Sequence, residues 1–170
     1  MKKPRKAYRQ RPVHTNAVSI ALNLVRKLSD ADVSMQRGAM TTALREFSAG
    51  QHCPVHWRSL ADTANMAETL AGMGICSGDQ ADAVVEKAQQ ALADVQHRHA
   101  TRGTWTLYAA ELDALDWLVV LHARQLAECS YGEFERAFNA TRERIAQALA
   151  GNAARGAVVI RGDIAAKAVA

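Results

Sequence analysis

The chain has 170 residues, of which 49% are apolar and only 5% aromatic, with 21 basic and 17 acidic side chains. That length suits one domain whose core needs no disulfide or metal staple. The odd set of three cysteines (Cys53, Cys76, Cys129) and the absence of an apolar leader after the basic start point to free thiols and a cytoplasmic protein; no apolar run approaches the roughly 20 residues of a membrane span, so no membrane partner is expected.

Charge divides the chain into three parts. Residues 1–14 hold Lys2, Lys3, Arg5, Lys6, Arg9 and Arg11 and no acid. With Pro4 and Pro12 and no apolar periodicity, they read as an extended, disordered basic arm. Residues 15–150 carry 12 basic and 16 acidic side chains, a net of −4. The predicted domain is 15–151, and 152–170 reads as a flexible tail with one β-like scrap, Ala157-Val158-Val159-Ile160.

Helical periodicity starts after a cap at Thr15 or Asn16, with Val18, Leu22 and Val25 as the apolar stripe and Leu28 as its end. Ser29 is the next N-cap, with Asp32 as its capping-box-like partner, and the second helix runs to about Ser48 before Gly50. Pro54 suits the first turn of a third helix whose apolar face is Trp57, Leu60, Ala64, Ala67 and Leu70. Gly72, Gly74 and Gly78 mark the following loop, with Ile75 and Cys76 turned inward. Asp79 opens a fourth helix, which buries Ala81, Val84, Ala88, Leu92 and Val95 and ends at Gly103.

Thr104 or Thr106 caps the fifth helix, the most apolar of the set, with Leu112, Leu115, Val119, His122 and Leu126 at helical spacing and Leu118 and Leu121 on a second side. Ser130 starts a sixth, with Phe134, Phe138, Thr141, Ile145 and Leu149 inward and Gly151 as its end. Abundant alanine favours helices that approach closely over stacked sheets. Six helices on short connections give an all-α, antiparallel bundle.

The candidate sites are few. In the arm, Lys2, Lys3, Arg5, Lys6, Arg9 and Arg11 with Tyr8 suit a polyanion, either nucleic acid or an acidic partner, bound through phosphate or carboxylate contacts and a stacked ring. The competing reading is a solubilising tail. His52, Cys53 and His56 lie close together, but no C-x-x-C pair joins them, and Pro54 breaks the helical register between the histidines, so neither a metal nor any cofactor is expected. His122 sits in the apolar stripe of the fifth helix and reads as a core histidine paired with a neighbour. Glu111, Asp113 and Asp116 read as that helix's polar side rather than as a catalytic pair. No phosphate-loop, dinucleotide, nucleophile-elbow or zinc-protease motif occurs, and nothing sets a base beside a cysteine, so the chain reads as non-enzymatic. In Arg102-Gly103-Thr104-Trp105, an arginine beside a tryptophan has the composition of a binding hot spot; Arg102 and Trp105 are therefore candidate protein-partner contacts, equally consistent with a tryptophan that caps the bundle end. Trp57 and Trp117 are assigned to the core.

The opening Lys3-Pro4-Arg5-Lys6-Ala7-Tyr8-Arg9-Gln10-Arg11-Pro12-Val13, the alanine-rich helices and Arg102-Gly103-Thr104-Trp105-Thr106 resemble, in general layout over most of the chain, small uncharacterised proteins encoded by phages and prophages of proteobacteria. The resemblance implies an accessory, host-directed role. The resulting expectation is a protein that docks on a host protein or complex to inhibit or modulate it. The alternative is a nucleic-acid-binding accessory protein that uses the arm. Alanine-rich faces also allow a homo-oligomer.

Overall fold

The computed structural model describes residues 17–51 and 53–149. The basic arm, His52 and the tail 152–170 lie outside the described residues. Six helices make up the described chain: α1 (Ala17–Val25), α2 (Asp30–Ser48), α3 (Cys53–Gly72), α4 (Asp79–Arg102), α5 (Ala109–Glu128) and α6 (Tyr131–Leu149). The all-α bundle expected from periodicity is the fold observed.

Local chemistry sets the helix ends. Ser29 accepts the backbone N–H of Asp32 at 3.2 Å, while Asp30 and Asp32 place negative charge at the positive end of α2. α2 and α3 end alike. Gly50 and Gly74 adopt positive φ, and their N–H groups close on Phe47 O and Ala71 O. The next residues, Gln51 and Ile75, reach back to Glu46 O and Leu70 O. This double closure satisfies the last carbonyls, and buried Ile75 packs with Leu70 beneath it. At α6, Ser130 and Glu133 exchange bonds, the carboxylate accepting the Ser130 N–H and hydroxyl, both at 2.7 Å. Those two bonds hold the Glu133 carboxyl below its usual range.

α2, α3, α4 and α5 form a ring in which each helix packs on the next and α5 returns to α2, with α3 and α5 also touching across it. Its core holds Phe47, Trp57, Leu60, Leu92, Val95, Leu115, Leu118 and Leu126. Alanines 61, 64, 67 and 88 let the backbones approach closely. The Trp57 indole N–H donates to Leu92 O at 2.9 Å, so the largest buried ring carries no orphaned donor. Outside the ring, α6 leans on α3 and α1 lies on α6. α6 is joined to α3 by polar contacts: Thr69 and Thr141 hydroxyls at 2.8 Å, and Arg144 paired with Glu68, which also accepts from Gln89 at 3.0 Å.

Four expectations are corrected. α1 stops at Val25 rather than Leu28, and two residues of its stripe are not buried: Leu22 is 64% and Val25 71% exposed. In place of a last turn, residues 26–28 run antiparallel to the start of α6, Lys27 bridging Ser130 and the Tyr131 N–H donating to Arg26 O at 2.7 Å. On α4 it is Val85, not Val84, that enters the core. Phe138 is half exposed, because α6 packs chiefly on α3 among the ring helices and leaves that side open. Trp117, assigned to the core, is 63% exposed: the inward sides of α5 are already filled by Leu115, Leu118, Val119 and His122.

At Gly132 the backbone of α6 comes close to that of α1. A Cβ there would sit 2.8 Å from Leu24 O, a backbone atom that cannot swing aside. Gly132→Ala is therefore expected to lower stability by about 1–3 kcal/mol in urea titration and to speed amide exchange across residues 20–25. Unchanged exchange there would mean that α1 is not seated on α6 in solution.

Candidate functional site

The loop at residues 103–108 carries the first candidate contacts. Arg98 on α4 is nearly buried and holds this loop from several directions. Its guanidinium donates to Thr106 O at 2.9 Å, pairs with both carboxylate oxygens of Glu111 and lies 4.2 Å over the Tyr108 ring. Glu111 in turn accepts the Tyr108 N–H at 2.7 Å. α5 therefore starts at Ala109 on this carboxylate, not on a Thr104 or Thr106 cap. Of the three acids weighed as a catalytic set on α5, Glu111 is thus committed to structure, and Asp113 and Asp116 are exposed.

With the loop clamped, Trp105 is half-buried. Its ring stacks on His99 at 4.1 Å and meets Phe47 and Trp57 at 6.1 Å each. This is the packing of a tryptophan that caps the bundle end. Arg102 is exposed in the last turn of α4. The arm residues Lys2, Lys3, Arg5, Lys6, Tyr8, Arg9 and Arg11 lie outside the described residues.

A second surface was not singled out by sequence. Between the N-terminal half of α4 and the C-terminal half of α5 runs an open groove of about 270 Å³ lined by Ala81, Val84, Trp117, Val120, Leu121 and Arg124. Trp117 and Val120 project from it, and Arg124 is paired with Glu128 at 3.0 Å. A large indole left in water next to further apolar surface is the composition of an interaction hot spot. The signal was present in the sequence: Asp113, Trp117, Val120 and Arg124 recur at spacings of four, three and four, which put them on one helix side.

The charge of the body is not spread evenly. Residues 79–128 hold eight acids (Asp79, Asp82, Glu86, Asp94, Glu111, Asp113, Asp116, Glu128) and four bases (Lys87, Arg98, Arg102, Arg124), a net of −4. The remaining described residues balance to zero, with eight of each sign. The whole negative surplus therefore sits on the α4–α5 hairpin that carries the groove.

Burial pushes the thiols of Cys53 and Cys129 up; Cys76, desolvated and hydrogen-bonded to Glu128, is pushed up to about 11. Such thiols are protonated at neutral pH and are poor nucleophiles. Among the described residues no three of His, Cys, Asp and Glu converge as a metal site, and no helix is long and apolar enough to cross a membrane. His56 lies 3.3 Å from Glu46.

His122 is 6% exposed. Its Nδ1 lies 3.2 Å from Gln125 Oε1. The Gln125 amide donates to Ala67 O at 3.0 Å and points to Ile75 O at 3.4 Å, which ties α5 to the end of α3. Because that amide group faces two carbonyls, its oxygen must be the atom facing His122, and Nδ1 carries the proton. Burial lowers the pKa of this imidazole from 6.5 to about 4, against a smaller upward pull from Gln125.

No family model, no curated protein and no solved structure matches this chain.

Two expectations follow. Arg98→Ala should destabilise the fold by about 3 kcal/mol or more, since it leaves Glu111 nearly buried without its cation. The same change should open Trp105 to acrylamide quenching; quenching unchanged from wild type would mean that the loop does not depend on Arg98. For His122, the unfolded chain's imidazole titrates near 6.5 and the folded one near 4, so between those values the unfolded chain binds the extra proton. Stability should be complete above about pH 6.5 and fall by about 3 kcal/mol as the pH drops to 4. In His122→Gln the fall over that window should be shallower by that amount, read from urea midpoints at each pH. Equal slopes would show that His122 takes up its proton without leaving the core.

Proposed function

We propose that this chain is a non-enzymatic docking protein that binds a protein partner through the α4–α5 groove around Trp117. The observation that carries the reading is an exposed tryptophan in an apolar groove on the one hairpin that holds the body's net charge of −4. Complementarity then specifies the partner's chemistry: an amphipathic segment with an apolar face for Ala81, Val84, Trp117 and Val120 and a net positive charge to match the net-acidic α4–α5 hairpin. The resemblance in layout to phage and prophage proteins supports a host protein or complex as that partner, inhibited or modulated by occupation of its surface. Arg102 and the free edge of Trp105 lie at the other end of α4 and belong to the same proposal as secondary contacts.

The nucleic-acid reading rests on Lys2, Lys3, Arg5, Lys6, Tyr8, Arg9 and Arg11 alone. The described body is net negative, which gives a polyanion no overall attraction beyond the arm. It predicts a binding isotherm on duplex DNA whose salt dependence disappears when residues 2–11 are deleted.

The deciding variant is Trp117→Ala. The side chain is mostly in solvent, so folding should be kept to within about 0.5 kcal/mol. A host protein captured by the wild-type chain, then purified and titrated against it, should bind Trp117→Ala about 30-fold or more weakly, the loss of a hot-spot anchor. Its affinity should also fall as salt rises. Equal affinity for wild type and variant would remove the groove from the interface.

A further inference from the structure

A second concavity lies on the other side of the ring, where α6 leans away from α2. It measures about 450 Å³ and is lined by α2 (Gln36), α3 (Ser59, Asp62, Thr63, Met66) and α6 (Phe134, Phe138, Thr141, Arg142, Ile145), with His122 of α5 at its base. That volume is within the range of small-molecule sites and larger than a single aromatic ring system needs.

Its walls and its base differ in kind. Met66, Phe134, Phe138 and Ile145 are apolar, and the Phe134 and Phe138 rings lie within 14° of parallel. The two threonine hydroxyls are already engaged: Thr63 donates to Ser59 O at 2.9 Å, and Thr141 is bonded to Thr69 at 2.8 Å. His122 is different. Its Nδ1–H is given to Gln125, so Nε2 holds a lone pair, and no described residue bonds it. Nε2 opens onto the cleft rather than being sealed in the core, so a molecule that donates to it there replaces a bond to water and is favoured over one of the same shape that cannot donate. Burial keeps the ring neutral at pH 7, so the base of the cleft offers a hydrogen-bond acceptor and no charge. The ionisable groups at the mouth are Asp62 on α3 and Arg142 on α6, the latter with its Cζ 5.7 Å from the Phe138 ring centre.

We propose that the cleft between α2, α3 and α6 binds a small neutral aromatic molecule with one hydrogen-bond donor, of indole or phenol type, its ring against Met66, Phe134 and Phe138 and its N–H or O–H donated to Nε2 of His122. The site is separate from the α4–α5 groove, and its occupancy does not depend on the docking reading.

Indole and benzofuran form the discriminating pair of probes, because they share size and shape and differ in the N–H. Titrated into the full-length chain at pH 7, indole should saturate at millimolar concentration or below and move the ¹⁵N resonance of His122 Nε2. Benzofuran should bind about tenfold or more weakly. His122→Phe should remove that preference. Phe138→Ala, half exposed and therefore expected to fold, should weaken indole about tenfold while keeping the preference for it over benzofuran. Trp117→Ala should leave indole binding unchanged, which separates this site from the docking face. Failure of the wild-type chain to bind indole at millimolar concentration, equal binding of indole and benzofuran, or an unmoved His122 resonance would each overturn the proposal.

Discussion

The distance at which two helix backbones can pack governs this molecule. Alanine methyls at positions 61, 64, 67 and 88 let α3 and its neighbours come close. Each methyl buries little apolar area, so the ring relies on a few large side chains gathered at its centre, Trp57, Phe47 and the leucines. Close backbones also bring helix carbonyls within reach of side chains from the next helix. Trp57 uses this to reach Leu92 O, and Gln125 to reach Ala67 O. The polar joints of this core are therefore largely side chain to backbone, and they set the register of one helix against another in a way that interchangeable methyls do not.

α6 follows another rule. It is held to α3 by hydroxyls, an ion pair and the half-buried Phe134 rather than by a row of alanines, and its far side is left open. Two concave surfaces result from these two packing modes. One is a shallow groove where α4 and α5 pack tightly and large side chains overflow onto the surface. The other is a deeper cleft where α6 stands off and the base of the ring is reachable. Their chemistry differs accordingly: the first is apolar on a net-acidic hairpin, the second uncharged at its base.

Much of the fold was legible in the sequence. Gly50, Gly103, Ser29 and Ser130 mark helix ends through local chemistry that does not depend on tertiary context, and all four act as expected. Periodicity identified the inward residues of α3 and α5 for the same reason. What it could not give was which of two apolar sides has a neighbour. Trp117 and Leu118 are adjacent apolar residues on one helix, yet one is in solvent and the other has no exposure at all. The difference is set by where α4 crosses α5, a property of the assembled ring. The same limit explains Phe138 and the apolar surface of α1. The start of α5 was misread for a different reason. Its cap is a carboxylate held by Arg98 from another helix, and a capping rule that looks only at adjacent residues prefers the nearby threonines.

The three cysteines have a practical side. Cys53 and Cys129 are buried, and all three thiols hold their protons at neutral pH. It is the thiolate that attacks thiol-directed dyes and spin labels, so the natural sulfurs react slowly under mild conditions. A cysteine introduced on a solvent-facing helix position can then be derivatised selectively with the native set in place. Site-specific probes can follow α1, α6 and the α4–α5 face one at a time without first replacing residues that the core has packed around.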